Sequence, residues 1–164
     1  MKVLITGPES SGKSTLARAL AWCLDGVFVA EQARAYLTAR LGRYTAADLH
    51  RIWAAQRAAE DAAVATGASY VFCDTGPEVI KVWSEVKYGS VDPTVAAAVH
   101  SSHYDLTLLC KPDLPWTPDP LRETPDLEER LLLFERYRHL LPDATVIEGR
   151  DRVTIAIASI LGYF

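Results

Sequence analysis

No apolar run in the 164 residues reaches the length of about eighteen that a membrane-spanning helix requires. Basic residues are not in excess. Lys and Arg total 17 against 21 Asp and Glu, a net charge of −4, which leaves no footprint for nucleic acid or an anionic membrane surface. A small-molecule ligand met by local basic groups is expected instead. Cysteine is scarce: Cys23, Cys73 and Cys110 are odd in number, far apart and set among apolar residues. That spacing argues against a metal site or a disulfide framework, and it predicts three buried free thiols in a reducing cytoplasm. Proline and glycine, nine each, are not enriched. No internal repeat, low-complexity segment or interdomain linker is visible. The length suits a single domain over residues 1–164. The first residues already read as a strand, so no signal peptide is expected.

What is present begins at the seventh residue. Residues 7–14 read Gly7-Pro8-Glu9-Ser10-Ser11-Gly12-Lys13-Ser14, a complete G-x-x-x-x-G-K-[ST] phosphate-binding loop. An apolar run, Lys2 to Thr6, precedes it. A helix-forming stretch follows, with Leu16, Leu20 and Leu24 on one face. Gly7 and Gly12 can adopt backbone angles closed to other residues, which turns N–H groups inward around phosphate oxygens. The loop residues Glu9, Ser10, Ser11 and Thr15 complete the cradle. The helix N-terminus adds its positive dipole end. Lys13 is expected to reach the β- and γ-phosphates of ATP, and Ser14 to offer its hydroxyl to Mg²⁺.

The remaining chain alternates strand and helix. Strands are expected at 27–30, 70–74, 105–110 and 144–148. Helices are expected at 31–36, at 46–65 behind Thr45, at 77–88, after Asp92-Pro93, at 126–141, and from Asp151 to the chain end. Continuous apolar strands separated by helices predict an α/β fold. It has about five parallel strands in one sheet covered on both faces: a three-layer phosphate-loop NTPase fold, of nucleoside- and nucleotide-kinase type. Residues 111–125 hold five prolines and must be a loop; with the start of the next helix they make a candidate lid over 111–130.

Ligands of such sheets bind at the carboxyl ends of the strands. Asp74 ends the strand at 70–74, where loop NTPases hold Mg²⁺; it could equally cap the next helix. Glu31 lies at the corresponding end of the second strand, as a candidate proton acceptor or a first-turn helix residue paired with Arg34. Arg34 is a donor for a substrate phosphate or carboxamide. Trp116, Asp119, Arg122 and Arg130 sit in or just after the proline-rich loop, where a closing lid would bring cations to the transferring group. Gln56 is on the inner side of the 46–65 helix and could touch substrate. Trp53, Trp83, Tyr88 and Trp116 are all candidates to stack on a base, and their spacing does not choose among them. A GTPase is disfavoured: Cys110-Lys111-Pro112-Asp113 has the wrong first residue for the [NT]-K-x-D guanine motif, and Gly76 comes one residue too early after Asp74 for the switch motif.

Four segments together resemble the ribosylnicotinamide kinase domain of NadR-like NAD-biosynthesis proteins. They are residues 7–14, Glu31 to Tyr36, Cys73-Asp74-Thr75, and Pro112 to Arg122. The last is the most specific, with Asp113, Pro115, Trp116, Asp119, Leu121 and Arg122 fitting the family pattern. The resemblance implies a Mg²⁺- and ATP-dependent kinase that converts nicotinamide riboside to nicotinamide mononucleotide. It implies ATP and Mg²⁺ at Gly12, Lys13 and Ser14, acids at Asp74 and Glu31, and Arg122 on the lid. The adenylyltransferase and DNA-binding domains of such proteins have no counterpart here, so a stand-alone kinase without nucleic-acid contacts is expected. The alternatives are a kinase of another nucleoside, or a nucleotide-sensing module acting through a protein partner.

Overall fold

The computed structural model describes residues 1–162. Five strands, β1 (Lys2–Thr6), β2 (Val27–Val29), β3 (Val71–Asp74), β4 (Leu106–Cys110) and β5 (Thr145–Ile147), form one parallel sheet in the order β2-β3-β1-β4-β5. Seven helices connect or flank them: α1 (Lys13–Cys23), α2 (Gln32–Ala39), α3 (Ala46–Ala65), α4 (Pro77–Tyr88), α5 (Pro93–Ser101), α6 (Leu127–Leu140) and α7 (Arg152–Leu161). The expected elements are all present, with ends moved by a few residues at most. The expected run of the last helix to the chain end falls partly on residues 163 and 164, which lie outside the described residues.

Alternation along the strands explains the two covered faces. Val3 and Ile5 of β1 face one side, with Leu108 and Cys110 of β4. They pack under Leu16, Ala17 and Leu20 of α1 and Ala156 and Ile160 of α7. Leu4 faces the other side and packs with Val71, Cys73 and Ala63 of α3. Leu109 does the same with Val82 of α4 and Phe134 and Tyr137 of α6. With both faces dry, strand residues such as Phe72 are fully buried; truncating such a side chain costs about 3–5 kcal/mol. A further cluster, Leu49, Ile52, Trp53, Ile80 and Val95, joins α3, α4 and α5 beside the sheet.

Local chemistry sets the helix ends. The Asp48 carboxylate accepts hydrogen bonds from the Thr45 N–H and hydroxyl, both at 2.8 Å, closing the start of α3. Asp126 caps α6 by accepting from the Glu129 N–H at 3.0 Å. Gly89 ends α4 in the left-handed conformation. One expectation fails. Cys73 and Cys110 are buried, but Cys23 is exposed, because α1 turns residues 16, 17, 20 and 21 inward and leaves position 23 on the solvent side. Among the described residues, no helix is long and apolar enough to cross a membrane.

Candidate functional site

The strand order reverses direction at β1, whose neighbours β3 and β4 lie on either side, so the loop after β1 opens into the crevice of the sheet. Backbone geometry there needs glycine. Gly7 has φ +134 and its missing Cβ would collide with the Cys110 carbonyl; Gly12 has φ +81 at the N-cap of α1. No side chain caps α1, so its first N–H groups are left for a ligand. The Lys13 ammonium donates to the Pro8 carbonyl at 2.8 Å, folded back over the loop, and the Ser11 hydroxyl donates to the same carbonyl at 2.7 Å.

The loop is braced from behind by a residue the sequence did not single out. Arg152 opens α7 and is 7% exposed. It donates to the carbonyls of Ser11 at 2.6 Å, Lys111 at 3.0 Å and Gly149 at 3.0 Å, and pairs with Asp113. It therefore ties together the segments that follow β1, β4 and β5. Nothing in Gly149-Arg150-Asp151-Arg152 distinguishes the buried arginine from its exposed neighbour Arg150.

Register brings the two acids side by side. Val29 pairs with Cys73 across β2 and β3, which sets Asp74 as the last residue of β3 and Glu31 just beyond the end of the adjacent β2. Asp74 is 2% exposed and its Oδ1 has no hydrogen-bond partner. Burial pushes its carboxyl above the ordinary value, opposed by the Ser14 hydroxyl and then by Lys13, Arg18 and Arg34. Glu31 is the N-cap of α2 but makes no capping hydrogen bond. Burial raises its carboxyl too; Lys13 pulls it down and Asp74 pushes it up. The alternative reading of Glu31, a surface pair with Arg34, is not seen: Arg34 donates to Asp119 at 2.8 Å instead.

A buried carboxylate oxygen without a donor, beside a hydroxyl and a phosphate loop, suits a hard cation. Ser14 and Asp74 therefore fit Mg²⁺. Among the described residues no cluster of three metal-ligating side chains exists, so further ligands would have to be phosphate oxygens and water.

The 111–126 segment is strapped across the cleft. The Glu9 carboxylate accepts from the N–H groups of Glu123 at 3.0 Å and Thr124 at 2.9 Å. The Ser10 hydroxyl accepts from the Thr117 N–H at 3.2 Å, and Lys87 pairs with Glu123 at 2.8 Å. Arg122 and Arg130 lie over the Trp116 ring at 5.7 and 5.2 Å. Arg130 is 3% exposed, and its Nε and Nη1 have no partner.

Between loop, acids and strap lies a cavity of about 500 Å³. Residues 7–15, Glu31, Arg34 and Arg122 line it, with apolar side chains Leu37, Val79, Trp83 and Leu121 and, beside Tyr44, the charged pair Lys87 and Glu123. Tyr44 and Trp83 meet edge to face at 4.8 Å there. Of the four aromatic candidates, Trp83 alone lines the cavity. Trp53 is core and Tyr88 is on the surface. Trp116, Asp119 and Arg130 belong to the strap and its anchor rather than to the cavity wall. Gln56 is 3% exposed and spends its amide on protein groups, not on the cavity. Tyr44, Lys87 and Glu123 were not singled out from the sequence; they are brought together across about eighty residues, a pairing no local pattern carries.

Comparisons with known proteins agree with this architecture. Two curated relatives are the trifunctional NAD biosynthesis/regulator proteins NadR of Salmonella typhimurium and Escherichia coli. Each is 32% identical over 124 residues, 73% of this chain and 30% of the relative. The chain thus spans under a third of the length of those relatives. A solved structure of NadR in complex with NR superposes with TM-score 0.79 at 23% identity, over 99% of this chain and 51% of that one. NadR with NAD and AMP-PNP gives 0.78 at 23% identity, over 99% and 49%. Deoxyadenosine kinase from M. mycoides, with dCMP and dCDP, gives 0.66 at 15% identity, over 99% and 98%. These likenesses establish a kinase-like phosphate-loop fold. A family model described as an AAA domain matches residues 2–148, so this chain, a homologue of NadR, belongs to that AAA-domain family of phosphate-loop proteins.

Proposed function

We propose that the chain is a single ATP-dependent kinase domain with a lid over 111–130, and that it phosphorylates nicotinamide riboside to nicotinamide mononucleotide. The observation that carries this reading is the placement of Glu31 and Asp74: a half-buried and a buried acid, unspent on structure, beside a phosphate loop and a cavity of nucleoside size. A motor or switch does not need an acceptor cavity beside its phosphate loop; a transferase to a small acceptor does. The choice of acceptor draws on NadR, a NAD biosynthesis/regulator protein whose structure has been solved with NR.

In this reading the loop N–H groups and the N-terminus of α1 bind the ATP phosphates. Lys13 swings from the Pro8 carbonyl to the β- and γ-phosphates. When bound, Mg²⁺ at Ser14 and Asp74 neutralises charge on the phosphates. The 5′-hydroxyl of the riboside attacks the γ-phosphorus in line, the bond to the ADP oxygen breaks, and the hydroxyl proton passes to Glu31 or Asp74. Arg122, with Arg130 behind Trp116, supplies positive charge from the lid, and Asp119 anchors that lid through Arg34. The heterocycle occupies the Tyr44–Trp83 end.

The deciding experiment incubates the protein with Mg·ATP and a panel of nucleosides. Acceptor-dependent ADP release with nicotinamide riboside, and mononucleotide as product, is expected. Release with another nucleoside alone would reassign the acceptor. Release with none would sink the kinase reading and favour a nucleotide-sensing module.

A further inference from the structure

Gln56 lies on α3, away from the cavity, yet its side chain touches the backbone behind both acids. Its Oε1 accepts from the Gln32 N–H at 3.0 Å, and its Nε2 donates to the Thr75 carbonyl at 3.3 Å and to Glu60 Oε1 at 3.3 Å. Gln32 follows Glu31 directly, and Thr75 follows Asp74 directly. The amide can face only one way. Thr75 and Glu60 offer acceptors and Gln32 offers a donor, so a flipped amide would oppose like groups at all three contacts.

The base of this arrangement is rigid. Glu60 is 1% exposed, paired with Lys2 at 2.7 Å and accepting from the Tyr104 hydroxyl at 3.0 Å. Lys2 opens β1 and Tyr104 lies just before β4, so the amide is referenced to the centre of the sheet. Thr75 itself has φ +74, a conformation that a β-branched residue rarely adopts and that surrounding structure must hold. The bond from Gln56 is one such hold.

We propose that Gln56 is a positioning residue: through its bonds to Gln32 and Thr75 it fixes the spacing of Glu31 relative to Asp74 and hence the alignment of the acceptor hydroxyl. Its catalytic consequence rests on the kinase reading above; the strut does not. Misplacement of reacting groups by about 1 Å can cost a hundredfold in rate. Side-chain contact with substrate would instead raise KM.

The test compares Gln56→Met, which keeps length and removes all three hydrogen bonds, with Glu60→Gln, which keeps an acceptor for Gln56. Gln56→Leu serves as second variant should Gln56→Met not fold, since it too removes the three hydrogen bonds at similar volume. Steady-state kinetics, thermal melts and amide hydrogen exchange are measured on each. Gln56→Met should lower kcat by about ten- to a hundredfold with the acceptor KM within about twofold, and should lose exchange protection at Gln32 while the β1 amides keep theirs. Glu60→Gln should lose thermal stability with kcat within about twofold of the parent. Three results would overturn the proposal: an unchanged kcat in Gln56→Met, a raised KM as its sole effect, or an equal kcat loss in Glu60→Gln. If the parent shows no acceptor-dependent turnover, the kinase reading alone falls. Exchange then decides the strut, and full protection at Gln32 in Gln56→Met overturns it.

Discussion

Replacing Arg152 by alanine should unfold the phosphate cradle from behind. The guanidinium holds three carbonyls and one carboxylate, drawn from the segments after β1, β4 and β5. The arginine is nearly buried while Asp113 remains 29% exposed and keeps its bond from the Gly149 N–H at 2.7 Å. Removing one partner of a buried pair costs about 3–5 kcal/mol, and the residual support of Asp113 puts the expectation at the lower end, about 3 kcal/mol. For a chain of this size that is a fall in Tm of about 6–12 °C. The Ser11 carbonyl is also released, so the loop N–H groups lose their common orientation, and the KM for ATP should rise by about tenfold. Calorimetry and ATP-dependent kinetics on Arg152→Ala and Arg152→Lys measure both effects. Lysine should recover less than half of the lost stability, because a single ammonium cannot reproduce the guanidinium fork. A Tm within about 2 °C of the parent would refute the brace, and a lowered Tm with an unchanged KM for ATP would refute its link to the loop.

Lys13→Ala should lower turnover by about a hundred- to a thousandfold at unchanged Tm, since the side chain binds phosphate and supports no core packing; activity near that of the parent would contradict the loop assignment. Burial holds the Glu31 carboxyl above its ordinary value, so kcat/KM should begin to fall on acidification at a higher pH than an exposed glutamate would dictate. A flat profile down to about pH 4.5 would exclude it as the base. Glu78 is buried at the first turn of α4, where it accepts from the Gly76 N–H at 3.0 Å; burial pushes its carboxyl up to about 7. The folded state then binds this proton more tightly than the unfolded chain. Its contribution is complete below the ordinary value of 4.5 and is lost as pH rises through about 7. The full loss has a ceiling of about 3 kcal/mol. Urea melts should show parent stability declining from pH 5 to 8 and Glu78→Gln declining less; parallel declines would refute the assignment.

The fold was legible because its signals are local. A continuous apolar run marks each strand, and Thr45 and Asp92-Pro93 mark helix starts by chemistry within a few residues. The phosphate loop was legible for the same reason. Glu31 and Asp74 were located by strand-end position, which a strand assignment supplies directly. What stayed hidden depends on distant pairing. Arg34 seeks Asp119 eighty-five residues away, Arg152 reaches Ser11 across 141 residues, and Gln56 turns its amide to the backbone of two other segments. Cys23 was misplaced for a smaller reason: an apolar neighbourhood in sequence does not fix the face of a helix, and α1 buries positions 16, 17, 20 and 21.

The pattern of spent and unspent charges in the cleft points to the direction of its chemistry. Most ionic groups there have structural work: Glu9 holds two lid amides, Glu123 holds Lys87, Asp119 holds Arg34, and Asp113 holds Arg152. A buried charge left unpaired is costly, so such groups persist where a ligand completes them. Asp74 Oδ1 and two nitrogens of Arg130 are the orphans, and Lys13 has a neutral carbonyl as its partner. The orphans are of both signs, on opposite elements: an acid at a strand end and an arginine on the lid side. An anion alone would satisfy Lys13 and leave Asp74 exposed to repulsion, whereas Arg130 lies against Trp116, off the cavity wall. A polyphosphate with a divalent cation would satisfy Lys13 and Asp74 together. A need for both signs at the site is what the proposed phosphoryl transfer predicts, and simple anion storage does not.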